Sequence, residues 1–283
     1  MGGSLALALS RSGYHVRNLV HRSGKIASKV SAEISNRPNL IPSTELADLP
    51  TDVILITTAD PEIETVVNQL STALTARPFV FHTSGSLSSD ILTNLREMGC
   101  KTGSIHPVIS VSDPFRGAER FAGAYFCIEG DDRATDVARK IVADLGGVPF
   151  TIETKLKALY HASAVTACGH LVALIDVALE MLAKCDVGSE EGSKILLPLI
   201  RSTVENLETQ ATGQALTGTF ARADIAAFRR HLALLQQNVS VQAQQIYLEL
   251  GARSLILAEH QGANFDDSEM IRKEISIAKR KSE

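Results

Sequence analysis

The chain opens, at Met1–Ser23, with MGGSLALALSRSGYHVRNLVHRS. Gly2 and Gly3 begin an apolar run, Gly13 closes it, and Tyr14–Val20 then alternates as a strand does. A helix entered through glycines and followed by a strand is the second half of a nucleotide-binding βαβ unit. If Gly2 is the third glycine of a G-x-G-x-x-G fingerprint, the first two glycines and the first strand belong upstream of Met1. The start of the chain is therefore expected to be truncated. Without that central strand, the strands beginning at Tyr14 and Asp52 are expected to have unpaired edges, with poor solubility as the consequence.

Working outward, strand and helix patterns alternate as far as about residue 152. Further strands are expected at Leu40–Pro42, Asp52–Thr58, Phe79–His82, Gly103–Val108, Ala124–Glu129 and Pro149–Ile152. Asp52–Thr58 (DVILITT) is continuously apolar, as a parallel strand buried on both faces requires. Asp60-Pro61-Glu62 starts a helix, with Asp60 as the expected cap. Other helices are expected over Ser88–Met98 and Asp131–Leu145. After Glu153 only helical patterns remain: Lys155–Lys184, Ser189–Ala211 (kinked or split at Pro198), Asp224–Gln237 and Val239–Glu259. This predicts an α/β fold with a doubly wound parallel sheet, its first strand missing, followed by an all-α domain. The expected domains are residues 1–152, binding a dinucleotide, and 153–283, serving substrate and dimerisation.

Composition narrows the function. The chain has 283 residues, 45% hydrophobic and 21% charged, enough for two cores. No window approaches eighteen uninterrupted apolar residues, so no membrane span is expected. A net charge of −4 gives no footprint for nucleic acid. The basic tail IRKEISIAKRKSE reads as a solvated helix end. Cys100, Cys127, Cys168 and Cys185 lie far apart with no C-x-x-C pair, which suits a reducing cytoplasm, and neither His82 nor His106 has metal-ligand spacing with another His, Cys or acid, so no metal is expected.

Several stretches together carry a resemblance: GGSLALALSRSGYHV, ITTADPEI, FHTSGSLSSDIL, GSIHPVIS, YFCIEGDD, YHASAVTACGHLVAL, LLPLIRSTVENL and ALTGTFARAD. In this order, from Gly2 to about Leu235, they resemble a bacterial two-domain family. Its members join a Rossmann-like domain to a helical C-terminal domain of unknown function. They are similar to pyrroline-5-carboxylate reductase, ketopantoate reductase and 6-phosphogluconate dehydrogenase. The resemblance implies a nicotinamide cofactor and a homodimer built from the helical domain, but no particular substrate. The chain departs from the family pattern at Gly169, Thr219 and Ala223, where the family has Asn, Pro and Gly.

Candidate site residues follow from one rule: ligands of open α/β sheets sit beyond the carboxyl ends of the strands. For the cofactor these are Gly2, Gly3, His21, Arg22, Ser23, Thr57, Thr58, Ala59, Thr83, Ser84 and Gly85. The strand that ends in His21-Arg22-Ser23 has no carboxylate to hold a ribose 2′-hydroxyl, so Arg22 favours NADP over NAD; a deazaflavin is a weaker option. Thr83-Ser84-Gly85-Ser86 suits an anion or a simple turn. His106 is a candidate proton donor. Lys157 and His161, four apart on one helix face, are candidates from the helical half, against a plain solvated lysine. Arg222, Asp224 and His231 form a further polar set, with Asp224 read as a helix cap. The expected function is an NADP-dependent oxidoreductase acting on a small C=O or C=N substrate. The alternative is a non-catalytic ligand-binding protein with a degenerate site.

Overall fold

The computed structural model describes residues 1–280. The chain divides into two compact units after Thr166. The change of sequence pattern near residue 153 precedes this division, because the helix that follows starts inside the α/β unit, where Lys157 is buried.

The first unit contains α1 (Gly2–Arg11), β1 (Asn18–His21), α2 (Gly24–Ala32), β2 (Asn39–Pro42), β3 (Val53–Ile56), α3 (Asp60–Ala73), β4 (Phe79–His82) and α4 (Thr93–Glu97). It continues with β5 (Lys101–Pro107), α5 (Pro114–Ala118), β6 (Tyr125–Gly130), α6 (Asp132–Asp144), β7 (Val148–Thr151) and α7 (Lys157–Ala164). The strands form two sheets, β1-β2 and β3-β4-β5-β6-β7, so β1 and β3 are each unpaired on one side. All neighbours run parallel except β5 and β6. The larger sheet is thus mostly parallel, as expected, with one antiparallel pair whose link carries only the five-residue helix α5. The 14-residue α3 and 13-residue α6 do make crossovers.

Core residues cover both faces of the larger sheet. Ile63, Val67 and Leu70 of α3 pack with Val80, Leu92 and Leu95. Leu5 and Leu7 of α1 join Ile141 and Val142 of α6 over Phe81, Phe126 and Ile128. Each such aliphatic side chain contributes about 1.5–3 kcal/mol by leaving water. The helix expected over Ser88–Met98 is a 3₁₀ turn, Ser89–Leu92, followed by α4, and it ends at Gly99, whose φ of +95° suits glycine alone.

The second unit is helical: α8 (His170–Ala183), α9 (Ser189–Thr209), α10 (Thr212–Ala215), α11 (Ile225–Asn238), α12 (Val241–Glu259) and α13 (Phe265–Arg280). Its core gathers Phe228, Leu248, Leu255, Ile271 and Ile275. Pro198 lies inside α9, which continues as one helix. Asp224 caps α11 as expected, accepting from the Ala227 amide at 2.9 Å.

Thr154–Ala183 runs through a 3₁₀ turn, α7, a π-helical stretch (Val165–Gly169) and α8. By length and composition alone it could cross a membrane, with a mean hydropathy of 1.7. A search for uninterrupted apolar runs misses it, because Thr166, Gly169, His170 and Asp176 break the run without lowering the mean enough. None of its most apolar window is buried in the single chain.

Candidate active site

The C-terminal ends of β3, β4 and β5 bring polar side chains together. Asp60 opens α3 just after β3. It does not cap its own helix, whose N-cap is Ala59; it accepts from Ser86 Oγ at 2.6 Å instead. Ser84 Oγ accepts from the amides of Ser86 and Leu87, at 3.2 and 3.0 Å. That locks the loop after β4, and the Ser84 hydroxyl serves the turn. His82, fully buried, accepts from the Ser84 amide through Nδ1 at 3.2 Å. Burial, then the nearby Lys157 charge, pulls His82 down to about 4.

Gly85 meets two imidazoles. A methyl group placed there would lie 2.7 Å from His106 Nε2 and closer still to His161. The His106 and His161 rings meet edge to face, 5.9 Å apart. His106 Nδ1 is 2.7 Å from the Tyr160 hydroxyl. Burial is the main reason His106 titrates at about 4, with Lys157 and His161 adding to it and Asp60 opposing. Burial also raises the Tyr160 phenol well above its ordinary value, with Cys127 adding to the shift. Near neutral pH this is a pair of uncharged groups that exchange a single hydrogen bond.

Lys157 is neither solvated nor at the surface of the cleft. Its side chain is 1% exposed, with Nζ 2.5 Å from Ser104 Oγ and 3.6 Å from Glu129 Oε1. Burial lowers its pKa, against the pull of Cys127 and Glu129. Glu129, also buried, accepts from the Ser89 amide and hydroxyl and from Thr154 Oγ1, at 2.9, 2.7 and 3.1 Å. The carboxylate thus ties β6 to the 3₁₀ turn after β4 and to the start of α7. Lys157, expected as a proton donor, is part of the frame that holds α7 and, with it, Tyr160 and His161.

The cofactor candidates converge on a neighbouring region. Gly2 and Gly3 form the first turn of α1, where no side chain caps the helix. A side chain at Gly2 would collide with Thr57, and one at Gly3 would press on Pro114 and Val30. Close packing therefore demands glycine here, as the third-glycine reading requires. Arg22 is exposed and pairs with Glu62 in the first turn of α3, while Ser23 precedes α2 without capping it. The Thr83 amide donates to the Ile56 carbonyl at 3.1 Å, joining the ends of β4 and β3. Ala59 lies between Thr58 and Asp60 on the same rim. His21 Nδ1 and Thr58 Oγ1 are buried with no protein partner. Such atoms cost about 1–3 kcal/mol each when left dry, so polar groups of a bound ligand fit them.

Tyr160, Glu129 and Ser104 did not stand out in the sequence. Only Tyr160 carried a signal, three residues after Lys157 on one helix face. Arg222, Asp224 and His231 fall in the second unit, where His231 Nδ1 meets the Tyr247 hydroxyl at 2.8 Å. That unit also holds a groove of about 260 Å³ lined by Val177, Met181, Phe220, Tyr247 and Leu250. It is apolar and lacks the converging polar groups found around His106. Among the described residues no cluster of His, Cys, Asp or Glu is suited to a metal ion.

Residues 1–107 match the family described as a Rossmann-like domain, and residues 124–254 match the domain of unknown function DUF2520. No curated protein matches the chain. Among solved structures it is similar to protein TM1727 from Thermotoga maritima, at 23% identity and a TM-score of 0.72, over 92% of this chain and 97% of that one. It is also similar to a Bacteroides fragilis protein described as an NADP oxidoreductase, at 20% identity and a TM-score of 0.70, over 89% and 93% of the two chains. The imine reductase of Myxococcus stipitatus, solved in complex with NADP+, is similar at 15% identity and a TM-score of 0.60, over 96% of each chain. At these identities the likeness establishes the fold, a parallel-dominated α/β domain followed by a helical one. The two matches together give a Rossmann-like domain followed by a DUF2520 domain.

Proposed function

We propose that the protein is an NADP-dependent oxidoreductase acting on a small molecule with a C=O or C=N group. The observation that carries this reading is the uncharged His106–Tyr160 pair. It joins the end of β5 to α7, with Nε2 turned toward Gly85 in the loop after β4. The relatives described as binding NADP lend it support. Arg22 would hold the 2′-phosphate, the first turn of α1 the pyrophosphate, and His21 and Thr58 the ribose hydroxyls. When bound, the cofactor supplies or accepts hydride. The chain contributes orientation and a hydrogen-bond donor.

The reading includes a homodimer built on the helical unit. α8 has no buried residue and α9 only Gly192, while Val172 and Leu199 are 68% and 63% exposed. A second copy covering this face also accounts for the apolar run without a membrane, and leaves the protein cytoplasmic. Light scattering with Leu199→Glu tests it: an unchanged mass would count against this interface.

Calorimetric titration tests the cofactor. Arg22→Ala should weaken NADPH about ten- to hundred-fold, the worth of one charged hydrogen bond, and leave NADH nearly unchanged. Equal loss for both nucleotides would defeat the NADP assignment.

A further inference from the structure

We propose that Tyr160 is a positioning residue: its hydroxyl donates to His106 Nδ1, so Nε2 carries the ring proton and presents it to a carbonyl oxygen of the substrate. The proposal rests on the oxidoreductase reading and names the substrate class of the same site.

Two contacts hold the phenol in place. Its ring meets Phe150 of β7 edge to face at 5.8 Å, and His106 at 5.7 Å. Its hydroxyl lies 2.7 Å from Nδ1, which is its only hydrogen-bond partner among the described residues. Both groups are uncharged near neutral pH, so one proton is shared between O and N. A phenol is the stronger acid and the bare imidazole nitrogen the stronger base, which sets the direction O–H to N. The ring proton is then on Nε2. That nitrogen has no hydrogen-bond partner among the described residues, and it lies against Gly85, where even a methyl group would come within 2.7 Å of it.

A donor at Nε2 selects what it can polarise. A carbonyl oxygen accepts its proton. An iminium N–H has no lone pair to offer, so it would need the opposite tautomer. The arrangement therefore favours ketones or aldehydes over protonated imines. As negative charge gathers on the carbonyl oxygen, that oxygen takes the Nε2 proton and Nδ1 takes the phenol proton. Once the product leaves, Nε2 takes a proton from bulk water and Nδ1 returns its own to the phenolate, which restores the starting tautomer.

Nitrogen-15 NMR of the full chain tests the tautomer without any cofactor. Long-range proton–nitrogen spectra show which ring nitrogen is protonated, and His106→Gln assigns the signal. The expected result is Nε2–H in the wild type, lost or mixed in Tyr160→Phe. An Nδ1–H ring in the wild type, or an unchanged tautomer in Tyr160→Phe, overturns the proposal. With NADPH present, Tyr160→Phe should lower kcat on a carbonyl substrate about 100-fold and change KM less than about threefold. Faster turnover of cyclic iminium ions than of ketones and aldehydes by the wild type overturns the substrate class. Failure to bind NADPH would defeat the oxidoreductase reading while leaving the tautomer result intact, so the two failures are distinguishable.

Discussion

Replacing Lys157 by Met isolates the buried ion pair that holds α7 to the sheet. Both side chains are almost fully enclosed, at 1% and 2% exposure, and Nζ is 3.6 Å from Glu129 Oε1. At an effective dielectric of about 20, the attraction at that distance is roughly 4–5 kcal/mol. Removing one member of such a pair typically costs about 3–5 kcal/mol, because the other charge remains buried. Glu129 keeps three neutral donors from Ser89 and Thr154, which places the loss near the low end, about 3 kcal/mol. Glu129→Gln should cost a similar amount by stranding the ammonium. The double variant leaves no stranded charge, so its loss should fall short of the sum by about 2 kcal/mol or more. Urea unfolding of the four proteins at neutral pH measures this, and each single variant should melt roughly 6–12 °C lower. Strict additivity, or a Lys157→Met protein as stable as the wild type, would refute the coupling.

Acid should destabilise the chain before its carboxylates titrate. His82 and His106 titrate at about 4 rather than 6.5, chiefly through burial. Between these values the unfolded chain binds protons that the folded chain refuses. Stability is therefore full above pH 6.5 and falls toward pH 4, by on the order of 3 kcal/mol per ring; a flat urea midpoint between pH 7 and pH 5 would contradict the burial. Ala223 has a φ of +49°, so Ala223→Gly should raise stability by about 0.5–1 kcal/mol in chemical unfolding, and a loss would mean that the buried methyl outweighs the strain. Gly85→Ala should cut carbonyl turnover at least about 100-fold and lower stability by about 1–3 kcal/mol through overpacking against His106. Turnover and melting that both stay at wild-type values would show that the contact is absent.

Much of the sheet was legible because its strands are short apolar runs punctuated by glycine and proline. Phe79–His82 has the expected bounds, and the others shift by a few residues. The antiparallel β5–β6 pair was not legible, because periodicity marks a strand but not its direction. Ala223 is a different case. The family resemblance put glycine at that position, and the structure shows why, since the backbone there is left-handed.

The site was legible only in part, and the division follows a physical line. Glycines that make room, and histidines at strand ends, announce themselves by residue type and position. His106 and Gly85 were found in this way and His161 from its spacing to Lys157 on a helix, and the three do meet. What the sequence could not show is how the charges are used. Asp60 sits where a cap belongs, yet bonds to Ser86 across the cleft. Lys157 has the residue type of a proton donor, yet is enclosed with Glu129, some thirty residues earlier on another element. Burial decides between those roles, and burial is a property of the folded chain. The outcome is a chemical one. With the ammonium committed to the frame, the groups that meet at His106 are the Tyr160 phenol and the His161 imidazole, and on the proposed reading proton transfer would rest on the phenol and the His106 ring acting as a unit.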